Sequence, residues 1–165
     1  MAETLQQLLC QTVAEVYETM FFTYLETAEE SGYTPDPAQA VFLEAVIGLN
    51  AQEQMGEVHF YYPEALARHI ASNFLGIDAE QQDDRRMHDT LGEAANMTVG
   101  SLLGKLDPRA VCGTLGMPAV RQLSGRTIGD VLAHPDTIAF HSDFGWLLVD
   151  YGVVKTCFKH QGELA

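Results

Sequence analysis

The run from Asp83 to Leu106 constrains the fold more than any other stretch, because it predicts one long amphipathic helix. Its apolar stripe follows steps of three and four and consists of Met87, Leu91, Ala94, Ala95, Thr98, Leu102 and Leu106. The opposite stripe consists of Asp89, Glu93, Asn96 and Gly100. The helix is therefore expected to bury one face in a core and to present an acid and an amide, one turn apart, to solvent.

The segments before this helix predict a second long helix, a β-hairpin and a third helix. The first helix is expected from residue 3 to about 28, because apolar residues repeat there at helical spacing, namely Leu5, Leu8, Leu9, Val13, Val16, Met20 and Tyr24. Residues 41–49 and 57–62 predict paired strands joined by a polar turn at 50–56. Pro63 suits a helix start and Gly76 a helix end. The helix between them is expected to bury Ala65, Leu66, Ile70 and Phe74.

The segments after the central helix predict further β structure. Asp107-Pro108 is expected to end that helix, and a possible strand follows at 110–120. Residues 137–141 and 145–154 predict a final strand pair. This order predicts one α+β domain over residues 1–165, with long helices packed on one face of an antiparallel sheet.

Charge and cysteine content exclude several classes of function. The chain has 23 acidic and 9 basic residues, a net charge of −14, which argues against nucleic acid and against an anionic membrane surface. No stretch is long and apolar enough for a transmembrane helix, and the start lacks a basic signal-peptide region. Cys10, Cys112 and Cys157 are far apart and odd in number. They are expected to be reduced cysteines in a cytoplasmic protein.

Most familiar catalytic and metal-binding patterns are missing from the sequence. There is no G-x-S-x-G elbow, and a lone Cys112 is more typical of a small buried residue than of a nucleophile. His134, His141 and Asp143 lie close in sequence but lack a ligand pattern, so no metal site is predicted. A polar helix stripe is usually only a solvated face. However, a glycine inside a helix is unfavourable by about 1 kcal/mol relative to alanine. Gly100 therefore suggests the close approach of a partner.

The polar stripe resembles the motif of the CheC/CheX/FliY family of chemotaxis phosphatases, which dephosphorylate the response regulator CheY. That family carries an acid a few residues before an E-x-x-N pair, and a proline some two dozen residues downstream. Here these features correspond to Asp89, Glu93, Asn96 and Pro118. The resemblance covers most of the chain, roughly residues 41–154.

The first helix departs from the two-site pattern of CheC-like and FliY-like members. It offers Glu15 and Glu18 but no asparagine at the matching position. The chain is therefore most similar to the single-site CheX branch. Membership of that branch implies a CheC-like fold and a homodimer.

The resemblance implies a phosphatase that accelerates hydrolysis of the aspartyl phosphate on a CheY-like response regulator. Asn96 is expected to orient the attacking water and Glu93 to anchor on a lysine of the regulator. Asp89, Gly92 and Gly100 are expected to contact the same partner. No cofactor of its own is implied, since Mg²⁺ belongs to the regulator. A non-catalytic regulator-binding or flagellar-switch-type interaction module is the alternative, and a structural domain with an accidental E-x-x-N remains open.

Overall fold

The computed structural model describes residues 3–51, 54–106, 113–152 and 154. Its strands are β1 (Glu26–Thr27), β2 (Leu43–Ala51), β3 (Gln54–Tyr62), β4 (Gly113–Leu115), β5 (Ala119–Gln122), β6 (Thr137–Ser142) and β7 (Gly145–Asp150). They form one antiparallel sheet with the order β1-β6-β7-β3-β2-β4, and β5 also pairs with β2. The predicted pairings of β2 with β3 and of β6 with β7 are both confirmed.

Three long helices cover one face of this sheet. The helices are α1 (Leu5–Phe21), α2 (Ala28–Ser31), α3 (Glu64–Leu75), α4 (Asp84–Leu106) and α5 (Ile128–Leu132), with a 3₁₀ turn at Ala79–Gln81. The central helix α4 packs against α1 on one side, α3 on the other, and β2 beneath. The predicted α+β class, with long helices on one face of an antiparallel sheet, is therefore confirmed.

Side-chain alternation along the strands builds a core on each face of the sheet. In β2, Leu43, Ala45 and Ile47 point toward the long helices and are fully buried. In β7, Trp146 and Leu148 point to the opposite face and form a smaller apolar cluster with α5. The short helix α5 thus covers part of the face that the long helices leave open.

The end of α1 differs from its predicted extent. The helix stops at Phe21, and Phe22 adopts a left-handed conformation with φ of 51°. The last turn buries Tyr17 and Phe21, which leaves Met20 and Tyr24 exposed by 41% and 65%. The prediction that the helix continues to about residue 28 was wrong, because the chain changes direction after Phe21 and Tyr24 lies beyond the helix. Met20 lies within the last turn, but its side chain faces solvent.

The boundaries of α3 are confirmed, but part of its predicted buried face is not. Pro63 immediately precedes the helix, and Gly76 ends it with φ of 65°. The buried face consists of Leu66, Ala67, Ile70 and Ala71. Ala65 is exposed and Phe74 is 41% exposed, so these two positions were predicted wrongly. The apolar stripe passes through Ala67 and Ala71 instead, where small side chains let α3 lie close to its neighbours.

Three strand boundaries also differ from prediction. The polar segment 50–56 belongs mostly to the extended ends of β2 and β3, since their pairing continues to Ala51 and Gln54. The segment 110–120 carries two short strands, β4 and β5, and β7 ends at Asp150 instead of residue 154. Outside the described residues lie Pro108, the segment 110–112 with Cys112, and Cys157.

Among the described residues, none of the helices combines the length and the apolarity that crossing a bilayer requires. Cys10 is half-buried, and burial together with the nearby Glu30 carboxylate raises the pKa of its thiol to about 11. A thiol with such a pKa is a poor nucleophile at neutral pH.

Candidate functional site

Helix α4 presents its two predicted faces as expected. The Asp83 carboxylate accepts a hydrogen bond from the Arg86 backbone N–H at 2.8 Å and caps the helix start. Every residue of the predicted apolar stripe is buried. On the other side, Asp89 and Glu93 are exposed and Asn96 is half-buried. The prediction that the acid and the amide reach the surface is therefore confirmed.

The side chains of Glu93 and Asn96 are available for an external partner. Residues three apart on a helix have Cβ atoms about 5–6 Å from one another, so both lie on one surface. Among the described residues, neither side chain takes part in a hydrogen bond or an ion pair. An acid and an amide therefore lie on a well-packed helix, and their polar groups have no partner within the part of the chain that the structure describes.

A shallow depression of about 320 Å³ lies beside Glu93, between α4 and the segment that leads into β5, and Asn96 does not line it. Its lining consists of His88, Asp89, Gly92, Glu93, Met117, Pro118 and Val120. Pro118 comes closest to the helix at Gly92, where a Cβ atom would lie 3.4 Å from the proline Cγ. The proline of the sequence motif therefore packs against the helix that carries Glu93 and Asn96.

The two glycines predicted to contact a partner both have neighbours within the chain. Gly92 is buried, and Pro118 and Val120 occupy the space beside it. Gly100 is half-buried, and a Cβ there would lie 3.5 Å from Leu115 of β4. The close approach inferred from Gly100 is thus made by this chain itself. Gly92 shapes the depression from beneath and offers little surface for direct contact.

Two further residues of this surface, Met117 and His88, have no recognisable signal in the sequence. Met117 is 91% exposed and lines the depression together with His88 and Glu93. An isolated methionine or histidine carries no signal in the sequence, although the position of Met117 next to Pro118 was a clue. Met97, in contrast, is partly buried and packs against the main core.

A buried carboxylate holds β5 in place. Glu44 of β2 is only 1% exposed and lies opposite Arg121 of β5, which donates a hydrogen bond to it. His59 Nδ1 lies 2.8 Å from the other carboxylate oxygen, and Tyr61 lies opposite Glu44 on the neighbouring strand β3. Burial opposes ionisation, but these hydrogen bonds outweigh it and lower the pKa of Glu44. The network fixes β5, and thereby Pro118, against the sheet.

The depressed pKa of Glu44 predicts a loss of stability in acid. Because the folded-state pKa lies below the ordinary value of 4.5, the contribution of Glu44 is fully present above pH 4.5 and disappears as pH falls through the folded-state pKa. We expect Glu44→Gln to lower the free energy of unfolding at pH 7 by about 2 kcal/mol. Urea titrations between pH 7 and pH 3 should show this difference shrinking in acid. Glu29→Gln, at an exposed position, is the control.

The space beside Gly92 limits the size of the side chain that this position accepts. Alanine would make ordinary contact with Pro118 and favour the helix by up to about 1 kcal/mol. Leucine would displace the proline segment and destabilise the fold by about 1–3 kcal/mol. Thermal unfolding of Gly92→Ala and Gly92→Leu tests this expectation. A leucine variant as stable as the alanine variant would show that Pro118 does not rest on the helix.

No second copy of the site lies on α1. Glu15, one of the two acids considered there, forms a salt bridge of 2.7 Å with Lys105 of α4. Glu18 is exposed, but no asparagine accompanies it. The acid–amide pair of α4 is therefore not repeated on this helix.

Metal binding has no support within the described part of the chain. No group of three or more His, Cys, Asp or Glu side chains there is placed to hold a metal ion. His134 instead lies 3.2 Å from the Asp150 carboxylate, and the His141 ring stacks on Tyr33.

Solved structures share this fold. A CheC-like superfamily protein from Shewanella sp. PV-4 is similar with a TM-score of 0.68 and 21% identity, over 90% of this chain and 96% of that one. The chemotaxis protein CheX from Vibrio vulnificus is similar with a TM-score of 0.67 and 20% identity, over 90% and 94%. The CheX of a CheX-CheY-BeF3-Mg²⁺ complex from Borrelia burgdorferi has a TM-score of 0.61 and 14% identity, over 88% and 94%. No curated protein sequence matches this chain.

The family follows from the sequence match. The family model described as "Chemotaxis phosphatase CheX" matches residues 43–141, which include all of α4 and the strands around it. The chain therefore belongs to the CheX family.

Proposed function

We propose that this protein accelerates hydrolysis of the aspartyl phosphate on a CheY-like response regulator, with Glu93 and Asn96 as the residues that act on the partner. The observation that carries the proposal is the acid–amide pair on α4, which has no partner among the described residues, in a chain of the CheX family. The complex of a B. burgdorferi CheX with CheY supports the class of partner. The regulator would supply the Mg²⁺, so the site needs no metal of its own.

In this proposal Asn96 acts on the attacking water. Hydrolysis of an acyl phosphate proceeds by in-line attack of water on phosphorus, followed by release of the aspartate carboxylate and inorganic phosphate. The amide oxygen of Asn96 accepts a hydrogen bond from the water and thereby aims its lone pair at the phosphorus. Because the amide is neutral, it does not repel the phosphoryl oxygens. Orientation of a bound water contributes several kcal/mol where the geometry is well fixed.

Glu93 acts as an anchor in the same proposal. A carboxylate near the phosphoryl group would be repelled by it, but it would attract a lysine ammonium beside the phosphorylation site. Glu93 precedes Asn96 by one helical turn, so a contact at Glu93 fixes where the Asn96 amide lies. Asp89 and the exposed Met117 flank this contact and would extend the docking surface.

The decay of radiolabelled phospho-regulator, with the protein in excess, tests the proposal. We expect the first-order decay constant to rise with protein concentration and to reach a plateau. Decay that stays at its spontaneous rate would rule out the phosphatase function. If the phospho-regulator still binds under those conditions, the protein is a regulator-binding module of the CheX fold.

A further inference from the structure

A concavity of about 460 Å³ lies where the end of α1 meets β1 and the turn between β6 and β7. It shares no lining residue with the depression beside Glu93. Four aromatic side chains around it are exposed, by 73% at Phe22, 65% at Tyr24, 62% at Tyr33 and 42% at Phe144. A cluster of exposed aromatic residues on a soluble domain is typical of a binding surface. We call this concavity the aromatic pocket.

The backbone conformation at Phe22 is unusual for an exposed aromatic residue. Its φ of 51° is left-handed, and among the described residues all others with positive φ are glycines. Glycine would adopt this conformation without steric strain, whereas an aromatic residue is strained there. The Phe22 ring is mostly in solvent, so packing does not explain the choice. Strain retained at an exposed aromatic residue points to a functional role.

Hydrogen bonds and a ring contact hold the pocket in shape. Asn73 Nδ2 donates to the backbone carbonyl of Phe22 at 3.3 Å. The Ser142 hydroxyl accepts from the Phe144 backbone N–H at 3.2 Å and fixes the turn between β6 and β7. The His69 ring stacks on Phe144 with a centroid distance of 3.6 Å. A surface fixed in this way loses little conformational entropy when it binds.

The charged groups that line the pocket are all acidic. Glu26 and Asp143 contribute carboxylates, and no lysine or arginine lines the pocket. The Tyr24 hydroxyl donates a hydrogen bond to Glu26 at 3.3 Å. Burial lowers the pKa of His69, which keeps that ring neutral at physiological pH. Aromatic faces beside carboxylates attract a cation, and the net charge of −14 favours its approach.

We propose that the aromatic pocket binds an arginine side chain presented by a partner protein. The planar guanidinium stacks on aromatic rings and pairs with carboxylates, and the pocket offers both. The exposed rings also spread over a wider surface than one free cation would cover, which favours an arginine within a protein segment. Arginine and aromatic residues are the side chains most enriched at the centres of protein interfaces.

A titration followed by ¹H–¹⁵N NMR tests this proposal with defined probes. The full chain is titrated with acetyl-Gly-Arg-Gly-amide, with the same peptide carrying the neutral isostere citrulline, and with free L-arginine. We expect saturable shifts at pocket amides for the arginine peptide, at millimolar concentration, and binding about tenfold weaker for citrulline because the cation is lost. Equal binding of both peptides, no saturable shift, or tighter binding of free arginine would overturn the proposal.

Phe22→Gly and Tyr24→Ala separate binding from folding. We expect both variants to lose binding of the arginine peptide, while the Tm of Phe22→Gly is no lower than that of the unmodified chain, because glycine relieves the backbone strain. Undiminished binding by Phe22→Gly would contradict the assignment. Sedimentation of the unmodified chain and of Phe22→Gly adds a further test. A dimer that Phe22→Gly abolishes would assign the pocket to a second copy of this chain and overturn the arginine proposal.

Discussion

Replacing Asn96 with alanine is expected to lower the stimulated rate of regulator dephosphorylation by at least about 100-fold, because the water loses the group that orients it. The affinity for the phospho-regulator should change little, since the half-buried amide contributes little contact area. The measurement is the plateau decay constant of phospho-regulator, together with the protein concentration at half-plateau. The plateau decay constant should fall toward the spontaneous value, and the protein concentration at half-plateau should stay nearly constant.

A matched variant separates this effect from the general loss of an amide. Asn50→Ala removes an exposed amide at the end of β2 that does not line the depression beside Glu93, and should leave both parameters unchanged. Asn96→Ala should also unfold at the same temperature as the unmodified protein, since among the described residues its side chain makes no hydrogen bond. A stable Asn96→Ala variant with full activity would remove Asn96 from the mechanism.

Reversal of charge at Glu93 is expected to act mainly on docking. Glu93→Lys would place one ammonium against another, and we expect the affinity for the regulator to fall by about 30-fold or more, equivalent to about 2 kcal/mol. The plateau decay constant should fall as well, because a displaced helix no longer aims Asn96. Glu93→Gln should have a smaller effect on affinity. Isothermal titration at two salt concentrations measures both the affinity and its electrostatic part.

Glu18→Lys is the control for the change in net charge. This residue is exposed on α1 and lacks an accompanying asparagine, and its replacement changes the net charge by the same amount. Equal losses of affinity in the two lysine variants would mean that the overall acidic charge attracts the regulator. A loss confined to Glu93→Lys would assign the contact to α4.

The elements that obey a simple periodicity were predictable from sequence. The buried stripe of α4 follows from spacing alone, and Gly76 ends α3 as its backbone freedom suggests. The end of α1 was not predictable, because the left-handed Phe22 lies within an apolar run that spacing alone would continue. The strand β1 has only two residues and pairs with the distant β6, so no local pattern marks it.

The candidate site was only partly predictable for a similar reason. Spacing placed Glu93 and Asn96 on an exposed face of the helix. The resemblance to a family then suggested that this face acts on a response regulator. The depression depends on Pro118 reaching Gly92, a contact between elements separated in sequence. The salt bridge of Glu44 with Arg121 is equally non-local. In sequence, Glu44 is only a single acid within an apolar strand.

The most direct test of the proposed phosphatase function is turnover with the protein in substoichiometric amount. Phospho-regulator is kept in large excess, and release of inorganic phosphate is followed over time. We expect each molecule of this protein to release many phosphates at a rate proportional to its concentration, and we expect Asn96→Ala to abolish this release. Phosphate release at the spontaneous rate, or a burst limited to one phosphate per protein molecule, would contradict the proposed function.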